Sequence, residues 1–455
     1  MAADTLAEEN LDTIKMGDYV ILTTLLGKKV FRLAKVEETG DVYFKKERIN
    51  LKTLIGAQYN SIHRLDRSTR TLKHAGLTQE QLREILDVSF TFTELNVDDE
   101  SKDNRLINDD GLAQKLDRDD IESLKNQGMS GDVIIKTLVE NSNTFKERNV
   151  FSQEKYLKKK QAKYSNLIRV LKPNPTLLTE MYYSQGPMKI NNLRIDSLAQ
   201  MLTACNVRSG AKFMVVDTNM GLLTAAIIDR LAGHSSMFTS SASRDYGECI
   251  QIYLDDAPVS SWRQSVDALN LSPAVIDRCL SAINIKKLYK WEFDNDTKPK
   301  DELDTEIETK EDITPIEPKE VDESSNVDEP EYKKQRLDEK TKRKATRIKE
   351  ENRAIDALKN KDMDGLLIVT RNHDPTNILT FLIRFLGIAQ PFAVFSLSID
   401  PLISCYQSLK GIAINSRITE TWFRNYQVLD SRTRPEMNMS GSGGYLLTGI
   451  KVDFQ

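Results

Sequence analysis

Cysteine is scarce in this chain, and the four present, Cys205, Cys249, Cys279 and Cys405, stand far apart. None belongs to a C-x-x-C pair, which argues against a zinc site. So few thiols in 455 residues are expected to stay reduced in an intracellular protein. Histidine is as sparse: His63, His74, His234 and His373 are isolated in sequence and create no metal-ligand spacing. No apolar run approaches the roughly 18 residues that a membrane span needs. The stretch Met1 to Lys15 is acidic and polar rather than a signal peptide. A soluble, cytosolic or nuclear protein with no membrane partner is expected. The apolar share is a modest 39% against 29% charged residues, so part of the chain should lie outside any packed core. The net charge of −4 hides a strong segregation of charge along the sequence.

Three stretches of composition follow one another. Asp18-Tyr-Val-Ile-Leu-Thr-Thr-Leu-Leu26, Lys29-Val-Phe-Arg-Leu-Ala-Lys-Val36 and Asp41-Val-Tyr-Phe44 are short β-branched or aromatic runs, with turns at Gly27 and Gly40-Asp41. They suggest a small barrel or sandwich near residues 16–95, in an N-terminal β-barrel-like domain bounded at 1–110, and the alternating Val88-Ser-Phe-Thr-Phe-Thr93 could add a strand. Leu77 to Leu86 is ambiguous between helix and strand, although Thr78 with Gln81 has the form of a capping box. Residues 111–165 read as a helical, basic connector: Asp117 to Gln127, then Gly131 to Asn141 with Ser130 as a cap. From residue 166 to 455 helices alternate with apolar strands such as Lys212 to Asp217, Cys249 to Leu254, Asp364 to Val369 and Phe392 to Leu397. Such alternation predicts an α/β domain with a mostly parallel, Rossmann-like sheet covered on both faces. Residues 294–350 interrupt it as an acidic, then basic, insertion expected to be disordered. Asp294 to Glu331 holds 16 acidic and 4 basic residues, too little apolar surface to offset ordering, so it is expected to be disordered. Tyr332 to Lys349 then holds 9 basic and 2 acidic residues and is able to continue as a helix into Leu358.

The densest candidate for chemistry lies between Lys146 and Lys172, with nine basic residues against two Glu. Lys155, Lys158, Lys159, Lys160 and Lys163 are interleaved with Tyr156 and Tyr164. Lysines neutralise phosphates and release counterions, and tyrosines stack on unpaired bases. In a helix Lys155, Lys159 and Lys163 share one face. The competing reading is a solvated helix face between domains.

The second informative feature is a missing glycine-rich loop. A doubly wound cofactor-binding domain opens its first strand into such a turn, so that the backbone approaches the cofactor. Here Asp217-Thr-Asn-Met-Gly-Leu-Leu223 supplies only Gly221, with Met220 and Leu222 crowding it. No cofactor is therefore expected, and Asp255 and Asp256 after the next strand do not replace the loop. At the exit of a later strand, Arg371 is a candidate RNA contact and His373 a candidate general base, the alternative for His373 being an inert surface residue. Arg432 and Arg434 add a basic cluster before Ser440-Gly-Ser-Gly-Gly444, which lacks the Lys-Ser/Thr of a phosphate loop. Lys333-Lys-Gln-Arg336 with Lys340-Thr-Lys-Arg-Lys344 has the form of a bipartite nuclear-import signal or of a solvated linker helix.

Several stretches, in order and spacing, resemble one family. They are Val139-Glu-Asn-Ser-Asn-Thr-Phe145, Phe151-Ser-Gln-Glu-Lys-Tyr156 with the lysine run, Ile168-Arg-Val-Leu-Lys-Pro173 and Leu198-Ala-Gln-Met-Leu202. Glu420 to Leu429 and Ser442 to Leu447 complete the set. The family is the non-catalytic, RNA-binding subunit of the eukaryotic tRNA methyltransferase that modifies ring nitrogen 1 of adenine 58 in the T-loop. The resemblance implies an N-terminal β-barrel, a methyltransferase-like domain with a degenerate cofactor site, and tRNA as a partner. It also implies a homologous catalytic subunit that carries S-adenosylmethionine, the two chains forming a heterotetramer of two plus two. A serine-rich insertion from His234 to Gly247 departs from the family pattern, and so does Ser442 within its glycine run. Two other readings remain: an active methyltransferase holding cofactor through Gly221 and Asp255 or Asp256, and an interaction protein whose basic segment is only a connector.

Overall fold

The computed structural model describes residues 13–26, 29–86, 114–127, 129, 131–145, 148, 150–232, 247–255, 262–294, 331–428, 433–439 and 441–453. The expected strand at 88–93, the serine-rich 234–246, the acidic 295–330 and Arg432 lie outside the described residues. The chain divides into two compact units, Met1–Ile190 with Ser265–Leu271, and Asn191–Gln264 with Ser272–Gln455.

In the first unit the β-branched runs form β1 Tyr19–Thr24, β2 Phe31–Lys35, β3 Asp41–Phe44, β4 Glu47–Asn50, β5 Ile62–Asp66 and β6 Thr71–His74. A seventh strand, β7 Leu167–Leu171, arrives from much later in the chain and inserts between β1 and β5, giving the order β2-β1-β7-β5-β6-β4-β3. Ile168 and Val170 complete an apolar cluster with Val20, Leu22, Ile49 and Leu65. The boundary expected at residue 166 is corrected by this pairing: β7 reads in sequence as the first strand of the α/β domain, but its partners are Ile21 to Thr24 and Ile62 to Arg64. Gln79–Leu86 is a helix, and the capping box decides it: Gln81 N–H donates to Thr78 Oγ1 (3.2 Å) and Thr78 N–H donates to Gln81 Oε1 (3.0 Å). Three further helices, Arg118–Asn126, Gly131–Glu140 and Val150–Tyr164, gather around Ile134, Leu138, Phe145, Leu157 and Tyr164.

His63 is buried on β5, its Nε2 2.8 Å from Ser61 Oγ and its ring edge-on to His74 at 5.6 Å. Burial, and then the His74 charge, lower its pKa below the ordinary histidine value. The unfolded chain therefore binds this proton at a higher pH than the folded one, and stability rises with pH across the interval between the two pKa values. Acidification below about pH 6.5 should destabilise the protein through this residue. His63→Gln should flatten the dependence of urea-unfolding free energy on pH between about 5 and 7; an unchanged slope would remove His63 from the explanation.

The second unit carries β8 Lys212–Asp217, β9 Glu248–Tyr253, β10 Leu280–Asn284, β11 Gly365–Val369, β12 Pro391–Ser396, β13 Ala413–Trp422, β14 Tyr426–Gln427, β15 Arg434–Pro435 and β16 Ser442–Lys451. The main sheet runs β10-β9-β8-β11-β12-β16-β13. Its first five strands are parallel, and β16 and β13 close it antiparallel. The parallel strands are buried along almost their whole length, as strands covered on both faces must be.

The expectation of a disordered insertion to residue 350 is corrected from Glu331 onward, where one helix runs to Leu358. Its final turns are held by packing: Ala354 and Leu358 are fully buried in the core of this unit. Glu351 accepts from Tyr253 Oη (3.0 Å), Lys287 Nζ (2.7 Å) and, four residues back on its own helix, Arg347 Nε (3.0 Å). A count of charges along the segment does not register these tertiary contacts.

Candidate nucleic-acid interface and the cleft at the strand ends

The lysine run falls on the 15-residue helix Val150–Tyr164. Lys155, Lys158, Lys159 and Lys163 are exposed, and Lys155, Lys159 and Lys163 repeat every fourth residue along one face. The opposite face buries Leu157 and Tyr164. The two tyrosines therefore do something other than offer themselves to bases. Tyr164 is 2% exposed, within the helical core. Tyr156 is half-buried, 5.5 Å from the Phe145 ring. Lys160 lies over both rings, at 5.0 Å from Tyr156 and 5.9 Å from Tyr164. Its pKa is lowered by partial burial and then by the charges of Lys163 and Lys159. The expected base-stacking role of Tyr156 and Tyr164 is thus corrected to packing: in a helix anchored by one face, aromatics interleaved with lysines point inward. The exposed lysines of this helix are Lys155, Lys158, Lys159 and Lys163.

In the second unit, a cleft of about 310 Å³ opens at the carboxyl ends of β8, β9 and β11. This is where ligands sit in doubly wound sheets. Arg371 and His373 line it from the loop after β11, with Met220, Tyr253, Asp255 and Trp262. At its base the Asp217 carboxylate is buried and already engaged. It accepts from Asn219 N–H (2.7 Å), Thr224 N–H (2.9 Å) and Thr224 Oγ1 (3.2 Å). Burial raises its pKa, against the opposing effect of these hydrogen bonds. Gln251, which sequence reading passed over, ties the same knot, donating to the Asp217 carbonyl (3.1 Å) and accepting from Thr224 Oγ1 (2.7 Å).

The turn above Asp217 is tight. Met220 (φ +59°) and Gly221 (φ +71°) both have left-handed backbone. A Cβ on Gly221 would lie 2.9 Å from the carbonyl carbon of Trp262 and closer still to its oxygen. The single glycine is thus used by a crossing backbone segment. Asp255, at the position expected of a ribose-binding acid, has a side chain 64% exposed and its Oδ1 3.7 Å from His373 Nε2. Arg371 is exposed at the cleft, whereas Arg434, on the short β15, is exposed but is not among the cleft residues. No group of three or more His, Cys, Asp or Glu suited to a metal occurs among the described residues.

The Gcd10p family matches residues 13–324 of this chain. A Mus musculus relative, named tRNA (adenine(58)-N(1))-methyltransferase non-catalytic subunit TRM6, is 34% identical over 474 residues, covering 96% of this chain and 88% of its own. The Dictyostelium discoideum protein of the same name is 34% identical over 458 residues, covering 98% and 81%. Among solved structures, an S-adenosylmethionine-dependent O-methyltransferase from Thermotoga maritima aligns with a TM-score of 0.47 at 11% identity, over 98% of this chain and 96% of that one.

Proposed function

The chain belongs to the Gcd10p family, and from that premise we propose that it is the tRNA-holding, non-catalytic subunit of a methyltransferase acting on ring nitrogen 1 of adenine 58. The observation that carries this reading is the turn at Gly221. An S-adenosylmethionine site on this fold needs a glycine-rich turn that lets the cofactor approach the backbone. Here the one glycine lies against the Trp262 backbone, the residue before it is methionine, and Asp217 is consumed by the turn and the helix after it. The residues present do not fit the cofactor, so no step of the reaction is routed through this cleft. The cofactor and the transfer chemistry belong to a homologous partner chain, in an assembly of two copies of each.

What this chain contributes is grip. A base that is to be methylated must leave its stack, so the rest of the tRNA has to be held while it does. Phosphate contacts fix register and orientation without reading sequence. The four exposed lysines on Val150–Tyr164 supply such contacts, with Arg371, Arg432 and Arg434 as further cations of the other unit. The N-terminal sheet is read as the family's small barrel, a reading supported by seven strands around one apolar cluster. The basic run Lys333 to Lys344 supports import into the nucleus, and deleting it should lower nuclear accumulation of a fluorescent fusion; undiminished accumulation would discard that role.

The cleft itself is the one observation favouring an active enzyme, because a cavity is still present where cofactors sit. Transfer from labelled S-adenosylmethionine into unmodified tRNA separates the two readings. The purified chain alone should be silent, and co-expression with the catalytic partner should give activity and co-purification. Transfer by the chain alone would overturn the non-catalytic reading.

A further inference from the structure

The same end of the second unit's sheet carries an aromatic, basic surface that the lysine helix and the cleft do not include. The helix Ile285–Asp294 follows β10 directly, and the helix Pro375–Leu382 starts two residues after His373. Between them lies a mostly apolar hollow of about 520 Å³. Tyr289 and Phe381 form its walls, and Lys286, Lys290 and Asn377 also line it. Tyr289 is 54% exposed, with its ring 4.5 Å from Phe293 and 5.3 Å from Phe381. Lys286, Tyr289, Lys290 and Phe293 recur at three- and four-residue spacing, so they share one helix face. The Arg384 guanidinium sits 4.9 Å over the Phe293 ring. Glu292 on this helix is engaged by Lys361 Nζ at 2.6 Å and by Arg384 at 3.2 Å. Lys286 and Lys290 are both exposed.

Resting on the tRNA-binding reading above, we propose that this hollow is a ledge for single-stranded RNA, taking an unpaired base on Tyr289 and Phe381 and the flanking phosphates on Lys286 and Lys290. Aromatic rings held open beside cations are the elements from which single-strand platforms are made. An exposed aromatic cluster of this size is otherwise a liability in water. The neighbouring cleft extends the surface: the Asn284 amide at the end of β10 donates to the Asp255 carbonyl at 2.6 Å, and Asp255 lines the cleft with Arg371 and His373. An acidic peptide is the competing occupant. The ledge is better matched to RNA because two aromatic rings and two lysines stand together in its lining, beside Ile285 and Ile378, and rings next to cations suit a base and its phosphates.

The test is fluorescence-anisotropy binding of the full chain to unmodified tRNA and to a 12-nucleotide single-stranded RNA. Tyr289→Ala should weaken the oligonucleotide by roughly 5- to 150-fold, the range for loss of one stacked base. Tyr289→Trp should preserve binding, which separates stacking from folding. Lys286→Glu with Lys290→Glu should weaken both RNAs and reduce the salt dependence. Affinities within about twofold of the parent in all these variants would overturn the ledge. A synthetic peptide spanning residues 295–330 is the second probe. If it binds and these variants abolish its binding while RNA affinity is unchanged, the surface belongs to acidic peptide and the RNA proposal falls. Either failure leaves the lysine helix, and with it the proposed function, to be judged by its own substitutions.

Discussion

Replacing Lys155, Lys158, Lys159 and Lys163 together with alanine should weaken tRNA binding by about 10²- to 10³-fold at 0.15 M salt. The estimate follows from counterion release. Each lost phosphate contact removes roughly 0.7–0.9 from the slope of log affinity against log salt, so four remove about 3. All four side chains are exposed, and alanine is the best helix former, so the helix should keep its buried face of Leu157 and Tyr164. Lys160 is deliberately left in place, because it covers the Tyr156 and Tyr164 rings. Tyr164→Ala serves as the contrast: it should cost stability by opening the helical core without altering the salt slope. Filter binding between 50 and 300 mM salt, as a rough range, measures both quantities. An unchanged slope in the four-lysine variant would make this helix a solvated connector after all.

Gly221→Ala should destabilise the second unit by about 2–5 kcal/mol, and on the proposed non-catalytic reading parent and variant alike should give no binding signal with S-adenosylmethionine. Two costs add. A left-handed backbone at φ +71° is open to glycine but costs an L-residue about 1–2 kcal/mol. The new methyl group would also meet the Trp262 carbonyl, a backbone neighbour that cannot swing away as a side chain does. Overpacking of this kind costs about 1–3 kcal/mol. Urea unfolding followed by circular dichroism measures the first effect, and titration calorimetry with S-adenosylmethionine the second. If the variant were as stable as the parent but lost measurable cofactor binding, the glycine would be serving a ligand. The catalytic reading would then replace the non-catalytic one.

Local signals in the chain were enough for much of the second unit. Lys212–Asp217 was legible to the residue, because a continuous apolar run between turn residues is what a strand buried on both faces requires. β10 and β13 were not legible. Leu280-Ser-Ala-Ile-Asn284 is too short and too mixed to stand out. Ala413–Trp422 is the edge of its sheet and is largely polar, so its identity as a strand comes from its antiparallel pairing with β16, seven residue pairs interrupted by two irregularities. The helix Gln79–Leu86 was decided by two side chains at its start, a local device that the sequence prints in full.

The sequence by itself determined the chemistry available: a dense lysine run, and a turn with one glycine where a cofactor-binding loop has several. Each depends only on which residue types stand near one another along the chain. The tertiary structure decided which of those groups face water. It turned Tyr156 and Tyr164 inward, placed β7 in the first unit's sheet, ordered the basic segment from Glu331 as a helix on Ala354 and Leu358, and set the Trp262 backbone against Gly221. The physical reason is common to all four. Burial and close approach depend on partners tens to more than a hundred residues away, and local composition carries no information about those distances.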